Sequence, residues 1–264
     1  MQTYQYTARN TAADSANKIH SDEAARARGF KGALVPGSAT FSQALTPVIR
    51  SFGEQWLRGG GAELRFPKPV YAGEEVVVRL DGASPEQDDA TTGVVITCSV
   101  DGEVKATGAA TVAAPANGSK PLPLVEPPAD PVPIVEEKIL DDERLGSVVI
   151  STAPDVLAAY AERAGLPSGL IDGFGAVHPG YLASSYTEIM RANFTRRGPS
   201  VHISTRIVNH KPAAVGEPVS LRGRVDRLFG RRGNRYWVLD LGWYDESDEP
   251  LMRAEHTAIY HLRA

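Results

Sequence analysis

One spacing recurs along this chain and constrains its fold more than any other feature. Around Gly37 the sequence runs Gly32-Ala33-Leu34-Val35-Pro36-Gly37, and around Gly180 it runs Gly175-Ala176-Val177-His178-Pro179-Gly180. Further on, Val70-Tyr71-Ala72-Gly73-Glu74 faces Ala213-Ala214-Val215-Gly216-Glu217. Both correspondences have the same offset, 143 positions, from Gly37 to Gly180 and from Gly73 to Gly216. Two separated motifs sharing one offset mark a tandem duplication, and two copies are too few for a solenoid. The 264 residues therefore read as two related halves.

What joins the halves is also legible. Seven of the 19 prolines fall between Pro115 and Pro133, beside Asn117, Gly118 and Ser119. Such a run cannot continue a helix and favours extended polyproline backbone. The expected division is a first repeat over 1–114, a linker over 115–134 and a second repeat over 135–264.

Each half presents the same order of elements. A Pro-Gly step precedes a helical pattern. Phe41, Leu45, Val48, Ile49 and Phe52 recur at helical spacing in the first half, and Leu182, Tyr186, Ile189 and Met190 do so in the second. Pro47 should kink the first helix or start a second. Strand patterns follow over 62–66, 75–80, 93–100 and 104–112, then over 201–208, 219–225, 236–243 and 251–260. Asp101-Gly102 and Gly233-Asn234 suit tight hairpins between them. A long helix followed by an antiparallel meander, twice over, is an α+β plan.

Composition narrows the function classes. A 42% apolar share with 23% charged residues excludes a disordered chain, and a net charge of −4 argues against nucleic acid or an anionic membrane as partner. The single cysteine, Cys98, lies in an apolar strand pattern and reads as a buried, inert thiol. Met1 to Lys18 lacks an apolar leader, and no stretch approaches the ~18 apolar residues of a membrane span. A cytoplasmic protein is expected. His202 with His210, and His256 with His261, lack metal-ligand spacing, so no metal is expected. Arg222, Arg224, Arg227, Arg231, Arg232 and Arg235 cluster on a hairpin pattern, read as a solvated face or as a contact for phosphates. Trp237, Trp243, Tyr236 and Tyr244 read as core or sheet-face residues.

The segment Asn17-Lys18-Ile19-His20-Ser21-Asp22-Glu23, followed by Gly29-Phe30 and Leu34-Val35-Pro36-Gly37, resembles the hydratase motif of the MaoC-like (R)-specific enoyl-CoA hydratases. Phe66-Pro67-Lys68-Pro69-Val70-Tyr71-Ala72-Gly73-Glu74 resembles the strand–loop–strand signature of the same family. The resemblance covers most of 3–113 and extends loosely, through the repeat, over 147–262. It implies a double hotdog, two helices each wrapped by a sheet, acting on an acyl thioester. The substrate would carry CoA or a phosphopantetheine arm, free or on a carrier protein, with no separate cofactor. A homodimer is also expected.

The family's motif is Gly-Asp-x-Asn-Pro-Leu-His, with its Asp and His as the catalytic pair. Here His20, Asn17 and Ile19 match, Lys18 replaces the Pro, Ser15 stands in the place of the Asp and Asp14 in that of the Gly. The resemblance thus implies His20 as acid/base, Gly37 as the backbone donor to an enolate oxygen, and Asn17 and Ser15 near substrate. On an extended segment Asp14 would face away from Ser15. The missing carboxylate is supplied by Asp14 through a local bulge, by Glu23, or by a group of the second half. A competing chemistry uses Gly180 and Glu188, eight positions apart on one helix pattern, as in hotdog thioesterases of the phenylacetate type, with His178 beside them. The remaining alternatives are a non-catalytic acyl-thioester-binding protein and a biosynthetic cyclase or isomerase.

Overall fold

The duplication returns as a mirrored strand order. The computed structural model describes residues 2–82, 93–113, 120–134, 139, 143–167, 169–170, 172–195 and 198–263. The first half holds β1 (Gln2–Thr7), a 3₁₀ turn (Lys18–His20), α1 (Asp22–Arg26), α2 (Gly37–Gly59), β2 (Gly61–Arg65), β3 (Glu75–Gly82), β4 (Gly93–Val100) and β5 (Glu103–Thr111). Next come β6 (Val132–Pro133), β7 (Arg144–Ile150), α3 (Pro154–Ala164), a 3₁₀ turn (Asp172–Phe174), α4 (Pro179–Ser184), α5 (Tyr186–Asn193) and β8 (Phe194–Thr195). The meander β9 (Val201–Asn209), β10 (Val219–Arg231), β11 (Asn234–Tyr244) and β12 (Pro250–His261) completes the chain.

Ten strands form one sheet in the order β1-β3-β4-β5-β2-β9-β12-β11-β10-β7, every pair antiparallel. The sequence order of the first five is repeated in reverse by the last five, and β2 meets β9 at the seam, Gly61 opposite Val208 through Arg65 opposite Ser204. Small connections repeat too. Val35 donates to the Val70 carbonyl at 2.9 Å, and Val177 donates to that of Ala213 at 2.8 Å. Gly73 and Gly216 sit at φ 85° and 89°, a left-handed turn that a side chain disfavours. Their amides bond Ala8 and Thr152, each at 2.9 Å, which ties each turn to the end of β1 or β7. The α+β plan expected from the repeat, and the double hotdog implied by the resemblance, are the fold observed.

The first central helix begins at Gly37 and buries Phe41, Leu45, Val48, Ile49 and Phe52, the residues set at helical spacing. It also buries Thr40, Ser42, Gln43 and Thr46 on its other faces, because α4 crosses it closely. Helix α2 breaks at Gly53 (φ 53°, ψ −136°), not at Pro47, which corrects the expected kink. The second central helix is not one long element. It is divided at Ser185 into α4 and α5, where the Ser185 hydroxyl donates to the Leu182 carbonyl and accepts from Trp243 Nε1. Ser and similar residues compete with helical hydrogen bonding in this way.

Residues 120–134 run extended along the second half. Leu122 N–H donates to the Tyr244 hydroxyl at 2.8 Å, and Arg222 donates to the Leu122 carbonyl at 3.2 Å. Arg222 is 6% exposed, pairs with Asp248 and stacks on Tyr244. Arg224 pairs with Asp226 and Asp240. At Arg222 the arginine run is internal structure, and at Arg224 it is a half-buried ion-pair network, not a freely solvated face. Cys98 is fully buried, and burial pushes its thiol up to about 12. Trp237, Trp243 and Tyr244 are core residues, while Tyr236 stacks on Phe229. Among the described residues no helix is long and apolar enough to cross a membrane.

Candidate active site

A cleft of about 920 Å³ opens between the segment 10–17, the first turn of α2, and the helices α3, α4 and α5. It is lined by Asp14, Ser15, Asn17 and His20, by Pro36, Ser38 and Ala39 at the start of α2, and by Tyr160, Tyr181, Tyr186 and Glu188 of the second half.

His20 is held by two hydrogen bonds that define its tautomer. Its Nδ1 lies 2.7 Å from the Leu34 carbonyl and its Nε2 3.2 Å from Asn17 Nδ2. A carbonyl can only accept, so Nδ1 carries the proton; an amide nitrogen can only donate, so Nε2 keeps its lone pair. Asn17 is itself oriented by Ser200, whose N–H donates to Oδ1 at 3.0 Å and whose carbonyl accepts from Nδ2 at 2.8 Å. In this arrangement Nε2 is the ring nitrogen that faces Asn17 with its lone pair.

Helix geometry supplies the donors. The amides of Gly37 and Ser38 open α2 and make no hydrogen bond among the described residues, as first-turn amides do unless capped. The helix dipole adds a favourable field for negative charge there. Gly37 itself does not line the cleft, although its neighbours Pro36 and Ser38 do; it packs closely on the second half, where a β-carbon on it would lie 2.6 Å from His202 Nδ1.

The segment 11–16 is a turn, with Ser15 N–H donating to the Ala12 carbonyl at 3.0 Å, not an extended strand. Strict alternation does not apply there, and both Asp14 and Ser15 reach the cleft wall. Asp14 is exposed, whereas the Ser15 hydroxyl donates to the Asn17 carbonyl at 3.3 Å. Glu23 is exposed on α1 and lies off the cleft.

The second-half candidates are divided between two environments. Glu188 is on the cleft wall and paired with Arg191 at 2.8 Å. Gly180 is off the cleft: its N–H donates to His178 Nδ1 at 2.9 Å, and its α-carbon packs on Ser42. The geometry thus leaves that amide no hydrogen to offer a thioester carbonyl beside Glu188. His178 is a buried helix cap, and burial pushes its imidazole down to about 4.

The structure also joins residues that sequence spacing kept apart. His202 and His256 lie with ring centroids 4.3 Å apart, bridged by the Thr205 hydroxyl. The signal that could have found them is strand pairing, since Thr205 and His256 are cross-strand partners in β9 and β12. Among the described residues no group of three metal-ligating side chains converges.

Residues 12–103 match the family model described as MaoC like domain. The fold is similar to that of a structure described as a MaoC domain protein dehydratase from Chloroflexus aurantiacus. The two share 12% identity and a TM-score of 0.64, over 100% of this chain and 95% of the other. A Mycobacterium tuberculosis protein described as having a double hotdog fold is 14% identical with a TM-score of 0.57, over 98% and 95% of the two chains. An acyl-CoA thioesterase II from Mycobacterium marinum is 13% identical with a TM-score of 0.55, over 84% and 88%. No curated protein sequence matches the chain.

Proposed function

We propose that this chain, whose residues 12–103 match the MaoC like domain model, is a MaoC-like hotdog protein whose cleft adds water across the Cα–Cβ double bond of an enoyl thioester and runs the reverse dehydration. The observation that supports this reading is the His20 tautomer, a lone pair on Nε2 fixed by Leu34 and Asn17, in a cleft that Ser38 of the first turn of α2 also lines.

In the forward direction a water in the cleft exchanges for the Asn17 contact and gives its proton to His20 Nε2 as its oxygen bonds Cβ. The π pair moves towards the thioester oxygen, where the Gly37 and Ser38 amides and the helix dipole meet the charge. A proton delivered to Cα and deprotonation of His20 complete the addition. A positioned base of this kind contributes about 10²–10⁴-fold. The acyl carrier is CoA or a phosphopantetheine arm.

The test is product analysis with trans-2-butenoyl-CoA and 3-hydroxybutyryl-CoA. A mass change of one water supports the reading. Release of free CoA without hydration supports hydrolysis in its place, and no change with either thioester, or with longer homologues, overturns both.

A further inference from the structure

Helix α3 buries only Ala164 in the core, yet Val156, Tyr160, Arg163 and Ala164 all line the cleft. Those positions recur at helical spacing, so one face of α3 is turned to the cavity.

Hydroxyls from three helices meet on that face. Tyr160 Oη lies 2.6 Å from Ser42 Oγ of α2. Gly180 lets α4 approach the same serine, since a β-carbon there would lie 2.3 Å from Ser42 Oγ. Ser184 stands one turn further along α4, on the same side of the helix. Burial raises the Tyr160 phenol, and the hydroxyls of Ser42 and Ser184 beside it oppose that, so Tyr160 keeps its proton at neutral pH. The Tyr181 ring meets that of Tyr160 edge-on, with centroids 5.1 Å apart. Tyr160, Tyr181 and Ser184 are part-exposed and line the cleft that His20 and Ser38 also line.

The hydroxyl protons of this group have their acceptors within the protein. A carbonyl only accepts, so Ser42 gives its proton to the Ser38 carbonyl at 2.9 Å, and its oxygen accepts from Tyr160. Ser184 gives its proton to the Tyr181 carbonyl at 2.8 Å. The Tyr181 hydroxyl donates to the Ser151 carbonyl at 2.5 Å. What Tyr160 Oη and Ser184 Oγ retain for the cleft is lone pairs.

An alkyl chain laid over those oxygens would remove their water and return no hydrogen bond, a loss of about tenfold in affinity for each acceptor. A ligand O–H or N–H replaces the water instead. Sites of this form reject an analogue that lacks the donor. Ile134, Ile150, Met190 and Phe194 give the same cleft an apolar lining for hydrocarbon.

We propose that Tyr160 and Ser184 form a specificity site for a hydrogen-bond donor carried by the bound thioester. The donor is a hydroxyl of the acyl group beyond C3, or an amide N–H of the pantetheine arm. The site rests on the cleft being the place of the acyl thioester, as the hydration reading has it. It selects the substrate and takes no part in making or breaking bonds.

The experiment is calorimetric titration of the full chain, and of Tyr160→Phe and Ser184→Ala, with saturated thioesters that do not turn over. Hexanoyl-CoA is compared with 6-hydroxyhexanoyl-CoA, and octanoyl-CoA with 8-hydroxyoctanoyl-CoA. With the donor on the acyl group, a hydroxylated ligand binds the unsubstituted chain about tenfold more tightly than its plain partner, and each variant reduces that ratio to about twofold or less. With the donor in the arm, the members of each pair bind alike, and each variant loses about tenfold with every ligand at an unchanged melting temperature. Unchanged affinities in both variants overturn the site, as does a uniform loss that follows a lowered melting temperature. Failure of the unsubstituted chain to bind any of these thioesters overturns the site together with the thioester reading. Binding without hydration of trans-2-butenoyl-CoA overturns the hydration alone.

Discussion

Asn17, on the first-half segment, grips the backbone of Ser200, at the entry to β9, through both atoms of its amide. The same amide nitrogen faces His20 Nε2. One side chain thus joins the halves and orients the base. Asn17→Ala should cost about 1–3 kcal/mol of stability, since it strands the Ser200 amide and carbonyl. It should also lower the rate per folded molecule about tenfold. Denaturation midpoints paired with kcat check both effects.

His20→Ala should lower hydration about 10²–10⁴-fold while thioester binding persists. The cleft walls and the α2 amides remain in that variant. Calorimetric titration with a non-reactive butanoyl-CoA, beside turnover, separates the two. Full turnover in the variant would sink His20 as the base.

Ser15→Asp places a carboxylate on the cleft wall where the family's motif has one. It should raise the rate of hydration, read as initial rates with trans-2-butenoyl-CoA. A rate no higher than that of the unsubstituted chain would count against a role for that position.

Gly180 and Glu188 should respond differently. A β-carbon at Gly180 would lie 2.3 Å from Ser42 Oγ and 2.8 Å from its Cα, so Gly180→Ala should destabilise by about 1–3 kcal/mol. Glu188→Gln removes only an exposed pair with Arg191 and should change stability by less than ~0.5 kcal/mol. Melting curves and hydration rates check both. Loss of hydration in Glu188→Gln alone would move the chemistry to that wall.

The buried histidines set a pH dependence. The folded values of His178 and His202 are about 4 and about 3, and that of His256 also lies well below 6.5. The unfolded chain therefore binds more protons below about pH 6.5, and stability falls as pH falls towards about 4. Each ring adds up to about 1.4 kcal/mol per pH unit in that window. Urea midpoints at pH 7.5 and 5 measure the slope. His178→Asn, which retains a cap for Gly180, should make it shallower.

Much of the fold is legible because it rests on local rules. Pro-Gly steps opened helices at Gly37 and Pro179, and alternation marked eight strands to within two residues at each end, except that β10 runs on to Arg231 where the alternation was read only to 225. Strands β1 and β7 and helix α3 were not read. β1, Gln-Thr-Tyr-Gln-Tyr-Thr, is an edge strand with only Tyr6 buried, so it carries no apolar alternation. Helix α3 starts with Pro154 at its first turn but has only Ala164 buried, so its apolar stripe is weak.

The sequence by itself determined the duplication, the order along the chain of the helix and the strands that follow it in each half, and the motif that brings Asn17 and His20 together three residues apart. Those are short-range relations, enforced by turn chemistry and hydrophobic period. Tertiary structure alone decided which groups share the cleft. It turned residues 11–16, so that Asp14 and Ser15 both line the wall, and it closed Gly180 against Ser42. It also brought His202 to Gly37 and His256 through one extra residue, Ile203, in a ladder whose partners lie about fifty positions apart. A bulge reverses the facing of every side chain beyond it, and only the paired strand shows where it falls.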